Sequence, residues 1–408
     1  MVDGVVLTPM LLQHIGAETA AIVPELIALR RTIHQHPELA GAERVTATLV
    51  ADALRSAGLQ VSPDRGGHGV VGVLTGGSEG ATIAYRADMD AVADDEMLPS
   101  DFRSEVPGAA HLCGHDLHTV IGIGVALVLA RMRERIRGRA TFFFQPAEET
   151  LSGARAMIDD GVLTTVPPQE IYALHCGPLP VGTFGLMPGV GASGHDNFDL
   201  ELIGPAEIDS ADGLLTAVAL LSTVAPANSE AEAEQHLADL QSADGPLAQF
   251  VFSGARLSVD ADRRRAHIHG WIKAWPEDAY PRVRGQIRRL VRDIYGTAVA
   301  HRLAFRDARV PPMVCSAALT EAAKEHLQAT FGPASTIDLR AMLPFNGEDF
   351  GSFLDLVPGA MFFLGVANPS KGFSGQVHST TFGADERAIG IGTQAMAGWL
   401  ATRLDRPT

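Results

Sequence analysis

The residues best suited to chemistry lie in one run, His111-Leu112-Cys113-Gly114-His115-Asp116-Leu117-His118. A thiol, three imidazoles and a carboxylate packed this densely are soft and borderline donors, the set that holds a transition metal. The plain alternative is a polar loop capping the apolar run Thr119–Met132 that follows it. Further donors stand at the ends of other apolar runs. Arg86-Ala87-Asp88-Met89-Asp90 closes one, Gln145-Pro146-Ala147-Glu148-Glu149 a second and His175-Cys176 a third, and Gln376-Val377-His378-Ser379 opens the last segment. Adjacent glutamates at a strand end cannot both point into one core. One can ligate a metal while its neighbour handles protons. Cys113, His115, Glu149, His175 and His378 together exceed what one tetrahedral zinc takes. They suit two divalent ions about 3.5–4 Å apart. Thiolate and imidazole select zinc, manganese, nickel or cobalt over calcium or magnesium. A single structural zinc, with the other polar groups incidental, is the competing arrangement.

Carboxylates just past the C-terminal end of a strand sit where open α/β sheets place their ligands. Apolar spacing predicts helices over Glu18–Leu29, with Pro24 at its first turn or at a kink, and over Ala42–Ala57, ending at Gly58. Gly69–Leu74 and Thr82–Arg86, separated by Gly76-Gly77, read as two paired strands. A helix over Thr119–Arg135, a buried strand Ala140–Phe144, a helix Gly153–Asp160 and a strand Glu170–Leu174 follow. The pattern shifts near Gly189. From Asn197 to Phe305 the order is β-α-β-β-α-β, with an additional Ala/Glu-rich, helix-prone stretch over Ala227–Asp244. That order is the split βαβ pattern of a ferredoxin-like domain. Alternating α and β material then resumes, with a helix Ser316–Phe331, a strand Met361–Val366 and a closing helix Asp385–Thr402. The expected division is therefore 1–192 with 306–408 as the metal-binding domain and 193–305 as an insertion.

The chain has 408 residues, long for one core, and about two domains is the natural expectation. Its formal charge of −16 argues against nucleic acid and anionic membranes as partners. The most apolar helix, Val120–Leu129, is far below membrane-spanning length. Three cysteines make no disulfide framework. The first residues lack a basic region and a small-residue cleavage site. A soluble, cytoplasmic protein is the expectation.

Several stretches carry a resemblance. RRTIHQHPEL, RADMDA, HLCGHDLHT, FFFQPAEET, ALHCGP, NGEDFGSF and VHSTTF occur here in the order found in dinuclear metallopeptidases of the aminoacylase, hippurate hydrolase and indoleacetyl-amino-acid hydrolase type. The chain resembles that family over nearly the whole catalytic portion. The resemblance implies a zinc-exopeptidase-like α/β fold with a central mixed sheet flanked by helices, plus an inserted α+β lid of the type through which relatives form a homodimer; because the lid here is divergent, the oligomeric state stays open. It implies hydrolysis of an amide in a small-molecule substrate, an N-acyl amino acid or peptide-like compound. Cys113 resembles the bridging thiolate, and His115, Glu149, His175 and His378 the other metal ligands. Glu148 resembles the general base, and Asp88 the carboxylate that orients a ligand imidazole.

The lid departs from the pattern. Family members carry Gly-Gly-His-Ala-Ala-x-Pro after the first lid strand, with a His thought to steady the oxyanion. Here Gly204–Asp212 holds no histidine. His195, His267 and His269 are the alternatives nearby. The family's Gly-Thr-x-Arg strand reads Gly270-Trp271-Ile272-Lys273, so Lys273 is the candidate for a substrate carboxylate, without arginine's bidentate geometry. These losses leave a second reading open: a repurposed or non-hydrolytic member, either a binding protein or an enzyme of another metal-assisted step.

Overall fold

The computed structural model describes residues 9–226, 230–242, 244–260, 265–297, 302–342, 345 and 347–406. The chain divides into two compact units. The first comprises Met1–Gly189, Cys315–Leu339 and Phe353–Thr408, the second Val190–Val314 and Arg340–Ser352. The expected borders of the insertion, 193 and 305, fall inside the second unit, which also takes in the later segment Arg340–Ser352.

The first unit is built on an eight-stranded mixed sheet flanked by helices. Its strands run in the order Gln60–Arg65, Gly69–Thr75, Arg137–Gln145, Ser78–Asp88, Glu170–Pro180, Gly359–Ala367, Phe184–Leu186, Thr336–Asp338. The four central strands, from Arg137–Gln145 to Gly359–Ala367, are mutually parallel. Their apolar residues are buried on both faces, as parallel strands covered by helices must be: Phe142, Phe143 and Phe144 are fully enclosed. The helix His115–Arg131 is buried along nearly its whole length and touches the helices Pro9–Gln35 and Arg387–Leu404. An apolar sequence with little amphipathicity forms it, as a helix surrounded by protein requires.

Three sequence expectations change. Gly69–Thr75 and Ser78–Asp88 are strands, but they do not pair with each other. Arg137–Gln145 lies between them, antiparallel to the first and parallel to the second. Gly76-Gly77 is no hairpin turn: its amides donate to the carbonyls of Gly138, Arg133 and Ile136, which lead into that intervening strand. The first helix runs over Pro9–Gln35 and carries Pro24 in its interior. The helix expected over Thr119–Arg135 starts earlier, at His115, and ends at Arg131.

The second unit has a four-stranded antiparallel sheet in the order Leu303–Phe305, Gly194–Ile203, Arg265–Trp275, Phe250–Asp260. In chain order these are strands four, one, three and two, the ferredoxin-like arrangement. The last strand is shorter than expected, and positions 298–301 lie outside the described residues. One face of the sheet, with Phe198, Leu200, Leu202, Ile268 and Ile272, forms a core with Leu214, Val218, Val283, Ile287 and Val291 from the helices Ala211–Ala219 and Ala279–Tyr295. The alternation of strand side chains leaves His195, Asn197, Asp199, His269 and Lys273 on the other face.

Candidate metal centre

The C-terminal ends of the parallel strands supply the site. Asp88 ends one strand and Gln145 ends its neighbour, with Glu148 and Glu149 just beyond. His175 lies within the strand Glu170–Pro180. Cys113 and His115 flank Gly114, the N-cap of the buried helix, which adopts a left-handed conformation at φ 79°. A Cβ at Gly114 would lie 2.3 Å from Cys176 Sγ, so only glycine lets the Cys113 loop approach the strand.

The expected ligands converge. Donor atoms of Cys113, Glu149 and His378 all lie within 4.8 Å of one another, as do those of His115, Glu148 and Glu149. Cys113 Sγ is 3.5 Å from His175 Nε2. His115 Nε2 is 3.8 Å from Glu149 Oε1 and 4.0 Å from Glu148 Oε2, and His378 Nε2 is 3.5 Å from Glu149 Oε1. The other five side chains are buried or nearly so, whereas His378 is half exposed and adopts φ 58°. Such a backbone costs a residue with a Cβ about 1–3 kcal/mol and persists only where its surroundings fix it.

Ring tautomers follow from the hydrogen bonds. His115 Nδ1 donates to the Asp90 carbonyl at 2.8 Å, and His175 Nδ1 to the Cys176 carbonyl at 2.7 Å. In both rings the lone pair is then on Nε2, turned toward the other donors. His115 Nε2 is buried with no hydrogen-bond partner among the described residues. His118 differs. The Cys176 amide donates to its Nε2 at 2.8 Å, so its Nδ1 carries the proton and donates to Asp88 Oδ1 at 2.6 Å. Both nitrogens are committed, which removes this third imidazole of the motif from the donors. Asp88 therefore orients His118, while the imidazoles of His115 and His175 are oriented by backbone carbonyls. Arg86 completes the Asp88 carboxylate at 2.5 Å.

The electrostatics call for a cation. Burial, with Asp90 and Asp88 nearby, pushes the Glu149 carboxyl up to about 7 against the pull of His115. Burial pushes the Cys113 thiol well up. Burial opposes a charge on His115, but Asp88 and Cys113 draw its pKa well above the usual histidine range. A buried lone pair facing carboxylates and a thiol is the donor set of a divalent metal, and the residues present fit one.

Two anchors hold the glutamate loop: Asp90, which the sequence offers only as one of a pair of strand-end carboxylates, and Glu43. Asp90 accepts the Glu148 amide on Oδ1 (3.0 Å) and the Glu149 amide on Oδ2 (2.8 Å), besides taking the His115 proton on its carbonyl. Glu43 accepts the Ala147 amide at 2.8 Å, holding that residue at φ 54°. A second carboxylate two residues after Asp88 was the available signal for Asp90; Glu43 had none. Lys273, in the second unit, donates to the Phe345 carbonyl and is nearly buried. On the same sheet His269 donates to Asp199 at 2.8 Å, and burial together with Lys273 pushes His195 down to about 3. His267 is exposed.

The chain is similar to proteins of one family. The model of peptidase family M20/M25/M40 matches residues 84–402. A probable hydrolase, sll0100, of Synechocystis sp. is 32% identical over 93% of this chain and 96% of its own length. The N-acetyldiaminopimelate deacetylase of Enterococcus faecalis is 29% identical over 92% of this chain and 97% of its own. Among solved structures, the Bacillus subtilis YXEP protein, a dinuclear metal binding peptidase from the M20 family, superposes with a TM-score of 0.69 at 26% identity, covering 95% of this chain and 99% of that one. The chain belongs to peptidase family M20/M25/M40 and is an amide-bond hydrolase of that family.

Proposed function

We propose that this protein hydrolyses a linear amide of a small molecule, an N-acyl amino acid or a peptide-like compound, with Glu148 as general base. The observation that carries the reading is the meeting of Cys113, His115, Glu149 and His378 donors beside the nearly buried Glu148. Cys113, His115, Glu149, His175 and His378 would hold two divalent ions, zinc or one of manganese, cobalt and nickel. When bound, such ions acidify water and polarise a carbonyl. The chain's own residues do the rest. Glu148, its amide pinned to Asp90, takes the proton of the attacking water and returns it to the departing amine. Asp88, bonded to His118 and Arg86, lies 3.8 Å from His115 Nε2 and adds its negative charge beside the donors. In the second unit, Lys273 is the proposed contact for a substrate carboxylate. The deacetylase relative supports the substrate class. A cytoplasmic location belongs to the same proposal, in keeping with a chain of only three cysteines, too few for a disulfide framework.

The test is Glu148→Ala in metal-loaded protein, assayed on a panel of N-acyl amino acids. Loss of one well-placed acid–base group lowers kcat by about 10²–10⁴, and metal content should stay at the wild-type value. Normal turnover in that variant would rule out the base. Silence of the wild type across the panel, with metal in place, would overturn N-acyl amino acids as the substrate class.

A further inference from the structure

The sequence run Arg30–Leu39 resembles the family yet contributes nothing to the site described above. Its residues Arg30 and His34 point instead into a buried ionic chain. His34 Nδ1 is 2.8 Å from Asp116 Oδ2, and its Nε2 is 3.2 Å from Glu96 Oε2. Arg30 Nε donates to the same Asp116 oxygen at 2.6 Å. All four side chains are buried. Arg30 Nη2 lies 3.5 Å from Nδ1, farther than Asp116 at 2.8 Å; ionised carboxylates only accept, so both nitrogens of His34 donate and the ring is an imidazolium. Burial opposes that charge, but Asp116 and Glu96 draw the His34 pKa upward. The Phe102 ring closes the chain, edge-on to His34 at 5.5 Å and with Arg30 over it at 4.9 Å.

Both ends of this chain abut the metal centre. Asp116 directly follows His115. Glu96 precedes Met97, whose amide donates to the Thr380 carbonyl at 2.6 Å, two residues beyond His378. Leu98 of the same loop packs so closely on Gly383 that a Cβ there would lie 2.7 Å from it. His378 is half exposed and has a strained backbone, with its own amide bonded to Leu112. It is the donor that most needs its loop held.

We infer that His34 is a positioning residue, a doubly donating imidazolium strut that sets the His378 loop relative to His115. The inference rests on the proposed dinuclear centre. Removing one donor of the strut leaves Glu96 tied only to the Ser104 amide (3.0 Å), which loosens the Met97–Thr380 bond and lets His378 drift from Glu149.

The test compares wild type, His34→Gln and Glu96→Gln by cobalt(II) titration of the metal-free protein and by hydrogen exchange over 376–383. A glutamine at 34 is uncharged, and its two N–H donors sit on one nitrogen, not on the two separate ring nitrogens that face Asp116 and Glu96. Far-UV circular dichroism should be unchanged in both variants. Wild type should take two cobalt ions with a thiolate charge-transfer band from Cys113. In His34→Gln that band should persist while one ion binds about 10–100-fold more weakly, the range for partners that orient ligands. Exchange over 376–383 should speed in the same variant. Glu96→Gln should shift both readouts the same way by less, and it decides the matter if His34→Gln fails to fold. Unchanged cobalt affinity together with unchanged exchange would overturn the strut. Absence of cobalt binding by the wild type would instead overturn the metal-centre reading, and the exchange measurement would still judge the strut.

Discussion

Asp90 makes three bonds that no neighbouring residue could replace. Its carboxylate spans two successive amides, and its carbonyl fixes the His115 tautomer. Asparagine at this position keeps the shape and the carbonyl contact but turns an NH₂ toward an amide N–H. One of the two glutamates then loses its anchor, and a buried amide goes unpaired at about 1–3 kcal/mol. Asp90→Asn should therefore weaken metal binding about 10–100-fold and depress kcat more than it changes KM. Metal titration and steady-state kinetics check both, and a variant with wild-type affinity would show that the anchor is dispensable. The ligand run itself was legible because its donors are close in sequence and of unmistakable type. The anchors were not. Asp90 and Glu43 work through backbone amides of residues far along the chain, and no side-chain pattern announces that pairing. His118 shows the converse limit: its type and spacing match a ligand, and only the Cys176 amide reveals that its lone pair is taken.

At the scale of elements, the parallel strands aim the donors, and the loop 145–152 turns the glutamates inward. That loop folds back on the helix Gly153–Asp159 so tightly that a Cβ at Gly153 would lie 1.6 Å from the Pro146 carbonyl oxygen. Gly153→Ala must push the backbone of Pro146 aside, at a cost of about 3 kcal/mol or more by comparison with overpacked cores. The displaced loop carries Glu148 and Glu149. Chemical denaturation should report the loss of stability, and metal content the loss of Glu149, with a wild-type result in both showing that the loop can yield elsewhere. Most elements were readable from periodicity alone, including both helices that cover the ferredoxin-like sheet. Strand partnership was not. The run before Gly76-Gly77 and the run after it look like a hairpin locally, yet the strand that separates them comes much later in the chain. Pairing in a mixed sheet is decided by which apolar face each strand must cover, and that is a property of the assembled layers.

For the whole molecule, acid should be the weak side of the stability profile, because several imidazoles are enclosed as neutral rings. Burial pushes His111 down to about 3 and His326 down to about 4. His326 is the cleaner probe, since it lies away from the metal donors, on the helix Ala317–Phe331 against Trp399 at 5.7 Å. Its folded pKa is below the value of 6.5 expected when unfolded. Above that value neither state is protonated, and the contribution of the neutral ring is intact. As pH falls toward about 4 the unfolded chain binds a proton that the folded one refuses, so stability drains through that window and the loss is complete below it. Between about pH 7 and 5 this single ring accounts for roughly 2 kcal/mol. His326→Leu fills much of the same space without a titrating group, so its stability should fall by about that much less over the same interval. Urea unfolding of wild type and variant at both pH values measures the difference, and metal loss in acid, common to the two proteins, cancels from it. Equal acid sensitivity would mean that His326 takes up its proton without unfolding.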